Sequence, residues 1–127
     1  MPESRSAPST KADRRPIVYG YLRAQAADEF ALSVWRQEIT AFCQHQGYRL
    51  ETIFLDRRVP SDQVMRPGFG GLLGVLALND THGVVLLSSE VLLSSEHLSN
   101  DPNAYLVLQA NIRAADAQMI VIHEQPS

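Results

Sequence analysis

The sequence is short of cysteine, of long apolar runs and of basic charge, and each shortage removes a class of protein. Its single cysteine, Cys43, can close no internal disulfide and offers no thiolate set for zinc. His45, His82, His97 and His123 are scattered one to an element with no ligand spacing between them, so neither a metal nor a cofactor is expected. No run approaches the roughly eighteen apolar residues of a membrane span, and the polar N-terminus has no apolar signal segment. The expectation is a cytoplasmic protein without membrane contact. Basic charge is missing where nucleic acid would need it. The net charge is −3, and residues 1–15 contribute +2 through Arg5, Lys11, Arg14 and Arg15 against Glu3 and Asp13, which leaves −5 on the remainder. Domains that grip DNA usually carry a basic face. This body has no such excess, so charge does not support DNA binding.

What is present suffices for one domain with a core: 127 residues, 45% hydrophobic and 20% charged. Residues 1–15 are rich in Ser, Pro and charge and read as a disordered tail. The domain expected over 16–127 is organised around Ile17-Val18-Tyr19-Gly20-Tyr21-Leu22, an apolar run that leads into Arg23 and a small, turn-like stretch to Ala26. Such a run fits a strand buried on both faces of a parallel sheet. Open parallel sheets gather ligands beyond the carboxyl ends of their strands, so residues 23–26 are where chemistry is sought.

Further along, Leu32, Trp35, Ile39 and Phe42 mark one face of a helix over Asp28–Gln46, stopped by Gly47. Tyr48–Asp56 reads as a second strand and Arg57–Arg66 as a polar loop. Pro67 suits a first helical position, and the helix to Leu78 turns Leu72, Leu73 and Leu76 inward. Gly70, Gly71 and Gly74 each cost that helix roughly 1 kcal/mol against alanine, so burial must hold it. Gly83–Ser88 is a third strand. Val85-Leu86-Leu87-Ser88-Ser89-Glu90 then repeats identically as Val91 to Glu96, with the first copy expected to finish the strand and the second to lie in a loop and short helical turn. Asp101-Pro102 opens a helix with Tyr105, Leu108, Ile112 and Ala115 inward, and Met119–His123 is a last strand. The order β-α-β-α-β-α-β predicts an α/β fold of three layers, α-β-α, on a mainly parallel four-stranded sheet.

Rival motifs fall away. The serine pairs Ser88-Ser89 and Ser94-Ser95 have no nucleophile elbow around them and no histidine placed to activate them. The Gly68-x-Gly70-Gly71 stretch follows a loop instead of a strand and lacks the lysine of a phosphate loop. Cys43, near the inward face of the first helix, reads as a small core residue.

Three segments together resemble the catalytic domain of the resolvase/invertase-type serine recombinases. Tyr19-Gly20-Tyr21-Leu22-Arg23 is similar to the family's opening strand, Tyr-x-Arg-Val-Ser. Ile53-Phe54-Leu55-Asp56 followed by Arg66-Pro67-Gly68-Phe69 is similar to its second strand, mobile loop and Arg-Pro-Gly-Leu helix start. Gly83-Val84-Val85-Leu86 stands at the distance of its third strand. The resemblance implies a resolvase-like fold, and it also marks departures. The family attacks DNA phosphate with a serine two residues after the strand arginine. Here that residue is Gln25, whose amide cannot form a phosphodiester-linked intermediate. The family's Leu-Asp-Arg-Leu-x-Arg aligns with Ser89-Glu90-Val91-Leu92-Leu93-Ser94, so the acid survives as Glu90 and both clamping arginines are gone. Trp35 replaces a helical glutamine near the family's site. Arg23, Gln25, Arg66 and Glu90 thus make a vestigial site with no catalytic residue expected. Arg23 and Arg66, taken singly, are read as salt-bridged or surface residues ahead of phosphate clamps.

After the last strand the family continues into a long dimerisation helix and a DNA-binding domain, which the domain over 16–127 is expected to lack. The resulting expectation is a pseudoenzyme related to DNA recombination proteins that binds or regulates, with a protein partner or weak self-association. The alternatives are an active recombinase subunit working with a partner, and a small anion-binding module.

Overall fold

The computed structural model describes residues 14–24, 29–78, 80–88, 95 and 97–123. Four strands, β1 (Ile17–Ala24), β2 (Arg49–Arg57), β3 (Gly83–Ser88) and β4 (Gln118–His123), alternate with three helices, α1 (Glu29–Gln46), α2 (Pro67–Leu78) and α3 (Pro102–Ala114). The sheet order is β2-β1-β3-β4, and every neighbouring pair is parallel. The expected four-stranded, three-layer α/β architecture is the one observed. Strand and helix limits agree with the sequence reading to within a residue or two, the usual uncertainty of element ends. The disordered tail read over 1–15 lies outside the described residues except for Arg14 and Arg15, which are exposed.

Period-two alternation sorts the core into two halves. Val18, Leu22, Ala24, Val85 and Leu87 meet Leu32, Ile39 and Cys43 of α1 on one face. Tyr19, Tyr21, Val84 and Leu86 meet Phe69, Leu72 and Leu76 of α2 and Leu108 and Ile112 of α3 on the other. The buried stripe of α1 is Leu32, Ile39 and Cys43, with Trp35 and Phe42 half-buried beside it. The inward face is therefore rotated slightly from the one read from Leu32, Trp35, Ile39 and Phe42. Burial pushes the Cys43 thiol up to about 11, so it stays a protonated, inert core group at neutral pH.

The helix ends follow local chemistry. Gly47 takes φ 76°, the left-handed turn that ends α1, with the Gly47 amide donating to the Gln44 carbonyl (3.3 Å) and the Tyr48 amide to the Cys43 carbonyl (2.8 Å). Asp101 caps α3: its carboxylate accepts from the Ala104 amide at 2.9 Å, and Pro102 follows at the first helical position.

α2 is the helix propensity would not make. Three interior glycines oppose it by roughly 3 kcal/mol. Burial of Phe69, Leu72 and Leu76 contributes on the order of 5–8 kcal/mol, so packing wins. A Cβ added at Gly70 or Gly74 meets nothing within 4 Å. Gly70→Ala and Gly74→Ala are each expected to raise stability by about 0.5–1 kcal/mol, read as a higher urea midpoint at unchanged slope. A fall at both positions would mean that the glycines answer a need other than packing.

Candidate functional site

The carboxyl ends of β1 and β2 open onto the loop 58–66, the start of α2 and the segment 97–101. Period-two alternation puts Tyr21 and Arg23 of β1 on the α2 side of the sheet. Asp56, near the end of β2, is buried at 3% exposure and accepts three hydrogen bonds. The Tyr21 hydroxyl donates to Oδ2 at 2.7 Å, the Phe69 amide to Oδ2 at 2.9 Å and the Gly68 amide to Oδ1 at 2.7 Å. The carboxylate therefore sits at the positive end of α2 and satisfies amides that have no partner within the helix. Burial, followed by the neighbouring Asp56, holds the Tyr21 hydroxyl well above the ordinary tyrosine range, so it remains a donor. Gly68 is required by closeness: a Cβ there would fall 2.7 Å from the Leu55 carbonyl oxygen and 2.9 Å from Asp56 Oδ2.

Arg66 is 4% exposed and ties this group to both loops. Its Nε donates to the Gln63 carbonyl (2.6 Å), its Nη2 to the Ser61 carbonyl (3.0 Å), and its Nη1 to the Leu98 carbonyl (2.6 Å) and the Tyr21 hydroxyl (3.4 Å). A guanidinium has five N–H donors, and protein acceptors occupy four of them. Arg23, 7% exposed, donates through Nη1 to the Val59 carbonyl at 2.9 Å. Neither arginine is the surface residue that its isolation in sequence suggested, and the bonds described go to backbone carbonyls and, from Arg66, to the Tyr21 hydroxyl. Both reach the same loop, Arg23 at Val59 and Arg66 at Ser61 and Gln63. Of the sequence-derived site, the structure thus brings Arg23 and Arg66 together on loop 58–66. Gln25 and Glu90 lie outside the described residues, as do residues 91–94 and 96 of the second hexapeptide copy.

The two loops are also bonded to each other. Ser99 Oγ donates to the Ser61 carbonyl at 2.7 Å, and the Asn100 amide donates to Ser61 Oγ at 3.0 Å. Ser95, fully buried, donates through Oγ to the Leu87 carbonyl and accepts from the His97 amide at 3.1 Å. His97 stands edge-on against Trp35, with ring centroids 4.6 Å apart. These bonds fasten the two loops to each other beside the carboxyl ends of β1 and β2. Nearby, Glu29 and Arg57 form an exposed ion pair at the rim of a cavity of about 430 Å³ that Ser33 and Arg36 also line. Among the described residues no group of His, Cys, Asp and Glu could hold a metal ion.

Sequence reasoning had no access to Tyr21, Asp56, Ser61 and Ser99 as parts of this network, because their partners lie far along the chain or are backbone atoms.

The same arrangement of strands and helices occurs in solved structures. The C-terminal catalytic domain of ISC1926 TnpA, an IS607-like serine recombinase, superposes with a TM-score of 0.69 at 12% identity, over 87% of this chain and 72% of that one. The N-terminal catalytic domain of TP901-1 integrase gives 0.67 at 15% identity, over 83% and 76%. The fold is that of a serine recombinase catalytic domain. The first open reading frame of transposon ISC1904 from Sulfolobus solfataricus P2 follows at 0.55 and 17% identity, over 87% and 70%. No family profile and no curated protein matches the sequence. At these identities the likeness is one of recombinase fold, and function has to be argued from the side chains.

Proposed function

We propose that this chain is a catalytically inactive domain of recombinase fold that acts as a binding or regulatory module in a process related to DNA recombination. The observation that carries this reading is the engagement of Arg66, whose buried guanidinium donates to three backbone carbonyls and the Tyr21 hydroxyl. A phosphate clamp must offer its N–H groups to the phosphate; these are committed to holding two loops together. Sequence adds the second support. Gln25 stands where the resemblance places a nucleophile, and the stretch around Glu90 has no arginine. The anion-binding alternative draws on the same two guanidinia and is weakened by the same bonds. Among the described residues no helix is long and apolar enough to cross a membrane.

Incubation with supercoiled DNA tests the proposal when the parent and Gln25→Ser are compared by denaturing gel for protein linked to DNA. The expected result is no covalent adduct from either, because a serine alone does not restore transition-state stabilisation. An adduct from the parent, or one that appears with Gln25→Ser, would overturn the inactive reading.

A further inference from the structure

The exposed edge of β4 differs from the other edge of the sheet. β2 carries Arg49, Glu51 and Arg57, with Arg49 paired to Glu51 and Arg57 to Glu29, the kind of charge that discourages a second sheet from pairing. β4, Gln-Met-Ile-Val-Ile-His, has no Asp, Glu, Lys, Arg or Pro. Its register with β3 runs unbroken from Gly83↔Gln118 to Ser88↔His123, so no bulge twists the edge away. Among the described residues nothing pairs with its outer side. Burial records the same lack. Every residue of β3 is buried, whereas Met119, Ile120, Val121 and Ile122 are only half-buried although they pack on the core.

The flank beside this edge is also open. A cavity of about 800 Å³ is lined by the apolar Val34, Phe42 and Ile122 together with the polar Gln37, Glu38 and His45 of α1. One turn before Val34, Phe30 is 80% exposed, so the start of α1 presents an exposed apolar pair beside this cavity.

We propose that this edge and flank form the interface of a homodimer in which β4 pairs antiparallel with β4 of a second copy. A twofold axis perpendicular to the sheet keeps the two faces in register. It lays each α1 flank beside its counterpart and makes one continuous eight-stranded sheet, twice the four strands of one copy. A second copy brings the two things the surface lacks, an unpaired apolar strand and the exposed Phe30 and Val34 of its own α1, and β4 meets no like charge in pairing with itself. The dimensions suffice. A strand of six residues is about 20 Å long, and a three-layer edge is roughly 30 Å deep. That gives about 600 Å² on each partner, the lower end of what specific dimers bury. The inference does not depend on whether the strand-end site is inert, so the adduct experiment and this one fail separately.

Sedimentation equilibrium on the full chain, from micromolar to millimolar, tests it. The expected result is a monomer–dimer equilibrium that Gln118→Lys with His123→Lys weakens at least ten-fold. Both positions are exposed, so an unchanged circular dichroism spectrum is expected. Thr52→Lys on the β2 edge should leave the equilibrium unmoved. Amide exchange should slow in β4 as concentration rises. A strict monomer overturns the proposal, whether the β4 amides are open or already protected by another segment of the chain. A dimer broken by Thr52→Lys, or untouched by the β4 pair, overturns it as well.

Discussion

Asp56→Ala should cost about 3–5 kcal/mol of folding stability, near the upper end for a single substitution. Three donors lose their acceptor at once: the Tyr21 hydroxyl and the amides of Gly68 and Phe69. Tyr21 is fully buried, so its hydroxyl has no water to turn to, and a buried donor without a partner carries its whole desolvation cost. The start of α2 loses its capping carboxylate as well. Asp56→Asn keeps one acceptor oxygen and should cost roughly half as much. Urea unfolding gives the magnitudes, and the amide resonances of Gly68 and Phe69 should shift most. A loss below about 1 kcal/mol in Asp56→Ala would show that the network is not the anchor of α2.

Arg66→Ala should cost about 3–4 kcal/mol and loosen both loops. The carbonyls of Gln63 and Leu98 lose their donor together, that of Ser61 is left with Ser99 Oγ alone, and the space of a long side chain opens behind them. Arg66→Lys should recover little, because an ammonium on a single stem cannot reach three divergent carbonyls in the way a planar fork does. Limited proteolysis should cut within 58–66 in both variants before the parent is touched. The measurement also bears on function. An arginine held in readiness for a substrate can usually be removed without loss of stability, and sometimes with a gain. If Arg66→Ala is as stable as the parent, the structural role fails and a phosphate-binding role regains its standing.

The sequence discloses the scaffold because the scaffold is local. Gly47 stops α1, Pro67 and Asp101-Pro102 start the next two helices, and the apolar run from Ile17 places β1 inside the sheet, each through chemistry confined to a few neighbouring residues. The site is less legible for the opposite reason. Asp56 caps a helix that begins only after a loop, and Arg66 spends its donors on carbonyls, which every residue possesses and no sequence marks. A lone arginine in a polar loop therefore looks like a surface residue until the chain is folded. The α1 face is less sharply legible for a related reason: Trp35 has the hydrophobicity of a core residue, yet it lies half-buried, turned edge-on to His97.

The position of β1 also constrains how the chain is made. Of the four strands it is the earliest to be synthesised, yet it lies between β2 and β3, and Val18 cannot complete its pairing until Gly83 has been added. At roughly 5–20 residues per second, its most apolar segment waits several seconds with one edge open. α1 and β2 are the first elements able to shelter it during that interval. The nascent protein therefore matures from one side of the sheet to the other, and the half built around β3 and β4 closes last.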